Sequence, residues 1–134
     1  MSRENVELVR RIYSDGLLDR DPDRIVHEFA TPDVEYINPP EAVEPGIRRG
    51  RAPVAQAMRS SSEMFEWRRH EVLELFDRGD AVVAAVRFCA GSRGSASELV
   101  QGEAHTWTFR DGRIVRFEWG RDLRAALEAA GLRE

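Results

Sequence analysis

An α+β fold, with N-terminal helices laid over a curved and mostly antiparallel sheet, is predicted by three features of this sequence. Apolar residues recur at three- and four-residue spacing only in the first half, strand-like runs take over from Trp67, and one short helical segment closes the chain. Helices that precede a meander can cover one of its faces and close a core between two layers.

In chain order, Ser2 can cap a first helix over about residues 3 to 18, in which Val6, Val9, Ile12, Tyr13, Gly16 and Leu17 form one apolar stripe. Asp21 and Pro22 restart the chain as N-cap and first helical residue and turn Ile25, Val26 and Phe29 toward the core. Thr31-Pro32 is the expected stop. Val34 to Ile37 is β-prone, and Pro39-Pro40 forbids further ladder donation, which predicts an irregular loop as far as Gly50. Pro53 starts a third helix over about residues 52 to 65, with Val54, Ala57, Met58 and Met64 or Phe65 inward.

Four strands follow: Arg68 to Phe76, Ala81 to Cys89, Glu98 to Phe109 and Ile114 to Trp119. Arg110-Asp111-Gly112-Arg113 carries the sharpest hairpin signal, because glycine adopts the positive φ that a tight turn requires. Gly91 to Ser97 reads as a polar hairpin tip, and Leu123 to Ala130 as a closing helix that ends at Gly131.

The 134 residues, 42% of them hydrophobic, suit one domain spanning 1–134 with one core. A net charge of −4 argues against nonspecific nucleic-acid binding, which draws on clustered cations. All 20 basic residues are Arg, which removes Schiff-base lysines and lysine-anchored phosphate loops and is the bias of a GC-rich bacterial coding sequence. The lone Cys89 fits a reducing cytoplasm, no Cys/His spacing marks a metal site, and neither a secretory signal nor a membrane span is expected. No cofactor motif occurs: there is no glycine-rich phosphate loop and no nucleophile elbow.

Four segments in this order resemble the nuclear transport factor 2-like superfamily, and within it the small SnoaL-like proteins related to polyketide cyclases and ketosteroid isomerase. They are Val9-Arg10-Arg11-Ile12-Tyr13, Asp33 to Pro39, Gly50 to Val54, and His105 to Phe117. The resemblance covers essentially the whole chain. It implies a cone-shaped, cystatin-like barrel of curved sheet enclosing a small-molecule pocket, and pairing of two copies through the outer sheet face.

Strand alternation sets His105, Trp107 and Phe109 on one face, where the imidazole either satisfies a core network or addresses a ligand. Similarity to ketosteroid isomerase places His105 at the position of an oxyanion-hole acid and Tyr13 at that of the oxyanion-hole tyrosine. Tyr13 has a bland alternative, a core phenol bonded to a backbone carbonyl. Asn38 stands where the family carries a proton-shuttling carboxylate; an amide cannot take that proton but can orient a water or a carbonyl. Glu35 and Asp122 are the candidate replacements, although Asp122 can equally cap the last helix. Arg87 either meets water or pairs with an anion, with Glu103 the candidate partner, and Tyr36, Trp67, Trp107 and Trp119 are candidate pocket walls. His27 and His70 join no constellation.

These readings converge on a pocket for a small apolar carbonyl compound, serving a cofactor-independent isomerase, cyclase or hydratase built on His105, Tyr13 and Asn38. The alternative is a ligand-binding or protein-interaction module without proton chemistry.

Overall fold

In the computed structural model, which describes residues 2–42, 44–92, 94 and 97–132, the chain opens with α1 (Ser2–Ser14), α2 (Leu17–Arg20) and α3 (Pro22–Arg24). A single wide helical turn over Ile25–Phe29 leads into β1 (Ala30–Asn38) and β2 (Gly46–Arg49), followed by α4 (Arg51–Glu63). The meander is β3 (Trp67–Arg78), β4 (Ala81–Gly91), β5 (Glu98–Arg110) and β6 (Arg113–Gly120), and α5 (Leu123–Leu132) closes it. The six strands form one open, curved sheet in the order β2-β1-β6-β5-β4-β3. Only β1 and β6 run parallel.

The predicted α+β layering is the observed one. Val9, Ile12 and Tyr13 of α1, Leu17 and Leu18 of α2, and Val54 and Met58 of α4 pack on Val82, Ala84 and Val86 of β4 and on Trp107 and Phe109 of β5. On the opposite face, α5 sets Ala130 against Ala81 and Val83. Alternation along β4 explains both layers, since even-numbered residues face the N-terminal helices and odd-numbered ones face away. The Asp111-Gly112 turn forms as expected, with φ of 54° and 79° at its two centres.

Three boundaries differ from expectation. The first helix breaks at Gly16, whose φ of 66° is left-handed, so Gly16 ends α1 instead of extending its stripe. The second helical segment ends before Thr31-Pro32 as expected, but β1 begins at Ala30 and not at Val34, so the dipeptide sits inside the strand, at a shift of register against β6 between Ala30 and Glu35, where a proline removes no ladder bond. The loop expected before Gly50 contains β2, which pairs antiparallel with β1 from Glu35↔Arg49 to Asn38↔Gly46. The polar tip at Gly91 to Ser97 lies partly outside the described residues.

Candidate active site

Curvature leaves a pocket of about 600 Å³ between the sheet and the helices. Alternation on β5 points Gln101, Glu103 and His105 toward it, and alternation on β3 brings Arg68 and His70. Glu103 and His70 stand at its wall, and His105, 1% exposed, lies at its floor.

The hydrogen bonds around His105 favour one direction. The Trp107 indole can only donate, and it gives its N–H to the Tyr13 hydroxyl at 3.0 Å. Tyr13 Oη lies 2.5 Å from His105 Nδ1. Burial raises the Tyr13 phenol well above its ordinary value, so its proton stays on and goes to Nδ1. The imidazole proton therefore sits on Nε2, 2.8 Å from Glu103 Oε1. Burial also pushes His105 below its usual value and holds it neutral. Burial opposes the charge on Glu103, but the hydrogen bond from His105, together with that from Gln101 at 2.8 Å, outweighs it and keeps the carboxyl ionised.

A second imidazole is oriented from the opposite side. Asp19, in α2, accepts the His70 backbone N–H at 2.9 Å and lies 2.6 Å from His70 Nδ1. A carboxylate is an acceptor only, so Nδ1 carries a proton and Nε2 is the ring nitrogen turned toward Glu103. That atom is 3.8 Å from Glu103 Oε1. Burial works against the Asp19 charge as well, yet its bonds to His70 and its neighbour Arg68 hold the carboxyl below the ordinary range. The Arg68 guanidinium lies 3.3 Å from Asp19 and donates to the carbonyls of Leu18 and Met58 at 2.8 and 3.3 Å.

The predicted site residues separate into three groups. Tyr36, Asn38, Trp119 and His105 line the pocket. Burial pushes the Tyr36 phenol up to about 12. Asn38 is held at both ends, accepting from Trp119 Nε1 at 2.5 Å and donating to the Glu44 carbonyl at 2.7 Å. Tyr13 and Trp107 do not reach the pocket; they stand behind His105, because the α1 stripe and the odd-numbered face of β5 meet below its floor. Trp67 and Arg87 lie outside. Trp67 packs across Gly91, where a Cβ would come within 2.8 Å of its indole, and Arg87 points to solvent and pairs with Glu71, not Glu103, at 2.7 Å.

Neither candidate replacement for the missing carboxylate faces the pocket. Glu35 is bound by Arg49 and Arg116, and Asp122 caps α5 through the Ala125 N–H. Of the carboxylates that line the pocket, Glu41, Glu44 and Glu103, it is Glu103 that is buried, with His70, Asp19 and Arg68 around it. Alternation carried two of these signals, since Gln101, Glu103, His105 and Trp107 share a parity on β5, as do Arg68 and His70 on β3. Nothing local identifies Asp19, which reaches His70 across 51 positions.

The profile of the SnoaL-like domain family matches residues 9–117. Among solved structures, TerC co-crystallised with polyporic acid is 26% identical, with 95% of this chain and 98% of that one covered and a TM-score of 0.73. A protein of Jannaschia sp. CCS1 described as a SnoaL-like polyketide cyclase is 22% identical over 96% and 92% of the two chains, with a TM-score of 0.72. A protein of Catenulispora acidiphila with a ketosteroid isomerase-like fold, solved in complex with trimethylamine, is 16% identical over 93% and 92%, also with a TM-score of 0.72. Comparison with curated protein sequences finds no match.

Proposed function

Because the chain belongs to the SnoaL-like domain family, we propose that its pocket takes a small, largely apolar carbonyl compound and moves a proton on it, as a cofactor-independent isomerase, cyclase or hydratase. The observation that carries this reading is Glu103, a buried carboxylate between two imidazole Nε2 atoms, 2.8 Å from one and 3.8 Å from the other.

Glu103 is the base. It takes a proton from the carbon beside the carbonyl, and the C–H electron pair moves into the carbonyl oxygen as an enolate. The Tyr36 hydroxyl is the donor for that oxygen; with its value near 12 it remains protonated at neutral pH. Return of the proton to another carbon gives isomerisation, and attack of the enolate on a second carbonyl gives cyclisation. His105, Tyr13 and Trp107 act through Glu103 as positioning residues. The ligand-bound relatives support a small organic guest, and Phe65, Phe88 and Phe117 supply apolar wall.

Asn38 favours the second reading, a binding module without proton chemistry, because both ends of its amide are committed to structure. The experiment is deuterium incorporation beside the carbonyl of candidate ligands in D2O. Exchange lost in Glu103→Gln and reduced in His105→Ala supports catalysis; binding without exchange in the wild type supports the module. Apolar side chains exposed on β3 and β5, Leu73 at 61% and Val100 at 54%, support pairing of two copies through the sheet, and the buried, unpaired Cys89 supports a cytoplasmic setting.

A further inference from the structure

We propose that His70, Glu103 and His105 also form a site for one divalent transition-metal ion of the zinc class, and that this ion and the proton chemistry exclude each other. The three residues offer one ligand atom each, and these atoms lie within 4.8 Å of one another. A tetrahedral ion with bonds of about 2.1 Å holds its donors about 3.4 Å apart. The two separations from Glu103 Oε1, 2.8 Å to His105 Nε2 and 3.8 Å to His70 Nε2, bracket that value, so small side-chain shifts suffice. Two imidazoles and a carboxylate suit zinc, cobalt or nickel better than magnesium or calcium.

Two independent features point the same way. First, the ring nitrogens turned away from the cluster are both held: His70 Nδ1 by Asp19 at 2.6 Å and His105 Nδ1 by Tyr13 at 2.5 Å. Outer hydrogen bonds of this kind orient metal-binding imidazoles, and a carboxylate on the distant nitrogen raises ligand basicity. Second, the buried charges do not balance. Arg68 faces Asp19 at 3.3 Å, whereas the hydrogen-bond donors to Glu103 among the described residues are His105 and Gln101, with His70 farther off at 3.8 Å, leaving room for one more positive charge. A pocket opens in front of the three donors and leaves coordination positions for water or an organic oxygen.

Exclusion follows from the direction of the Trp107–Tyr13–His105 bonds. Coordination through His105 Nε2 displaces the proton there, which moves to Nδ1, and Tyr13 must then accept from both His105 and Trp107. Its own hydroxyl proton loses its acceptor, at a cost of about tenfold in affinity. With the ion bound, Glu103 is a ligand and no longer a base.

The site shares residues with the proposed proton chemistry but is tested without substrate, so either idea can fail alone. Chelator-treated protein is titrated with Co2+ and followed by visible absorption, and with Zn2+ and followed by imidazole nitrogen NMR. The expected result is saturation at one ion per chain, with the His105 proton transferred from Nε2 to Nδ1. His70→Ala and Glu103→Gln abolish saturable binding, Asp19→Asn weakens it about 10–100-fold, and His27→Ala, at an exposed position, leaves it unchanged. Absence of saturable binding by the wild type overturns the proposal. So does binding that survives Glu103→Gln, or a His105 tautomer that does not respond to Zn2+, a readout that needs no variant to fold.

Discussion

Trp107 donates its indole N–H to the hydroxyl of Tyr13 at 3.0 Å, and that bond, with the Glu103 carboxylate on the far side, sets which nitrogen of His105 carries a proton. The hydroxyl, having accepted from the indole, gives its own proton to Nδ1, and Nε2–H is left for Glu103. Two residues that never reach the pocket thus set the chemistry of one that does.

Tyr13→Phe strips a partner from both Trp107 and His105 in a fully buried site. Stability is expected to fall by about 2 kcal/mol, the cost of leaving a buried polar group unpaired. Urea unfolding measures it; an unchanged midpoint contradicts the direction of this relay.

Much of this arrangement is legible in the letters. Alternation places His105 and Trp107 on the inner face of β5, and the α1 stripe carries Tyr13 to the same core. What local pattern lacks is which inner groups stand at the surface of a cavity and which stand beneath it. The resemblance to ketosteroid isomerase implies an oxyanion donor at Tyr13, yet its hydroxyl is consumed by Trp107 and His105; Tyr36, read only as wall, is the phenol that lines the pocket. Asp19 was invisible because its role depends on a contact between α2 and β3 made only after folding. Arg87 takes the solvent alternative its strand face leaves open, pairing with Glu71, and Trp67, at the first residue of β3, packs across Gly91 where local pattern gives no parity to read.

Asp19→Ala leaves the Arg68 guanidinium, 5% exposed, without its anion. A loss of about 3–5 kcal/mol is expected from stranding a buried charge. Adding Arg68→Met should restore part of it, since removing both charges costs less than removing one. A double-mutant cycle by chemical denaturation decides; additive losses count against the pairing.

Ala57, half-buried on α4, lines the pocket without belonging to the polar network. Ala57→Trp should fill the cavity and lower ligand affinity at least about tenfold while leaving circular dichroism intact, because at this core edge the added ring has the open pocket to enter. Calorimetric titration with a ligand of the wild type tests this, and undiminished affinity places the binding site elsewhere.

Burial favours the neutral phenol of Tyr36, whose folded value is about 12 against an ordinary 10.0. A group raised on folding contributes stability that is complete below its unfolded value and is lost as pH climbs through the folded one. Stability should therefore decline between pH 10.0 and about 12. Tyr36→Phe should flatten that decline, as read from thermal unfolding across the alkaline range; an identical slope in the variant assigns the loss to other groups.

The central claim is that one pocket holds two imidazoles of opposite tautomer, fixed by Tyr13 behind His105 and by Asp19 behind His70. Nitrogen-15 correlation spectra of the metal-free protein at neutral pH read both rings directly, with the exposed His27 as an internal reference for an unconstrained ring. The expected result is a His105 ring protonated at Nε2 alone and a His70 ring with its proton at Nδ1 toward Asp19. A His105 ring protonated at Nδ1, or both rings averaging between tautomers, contradicts the account.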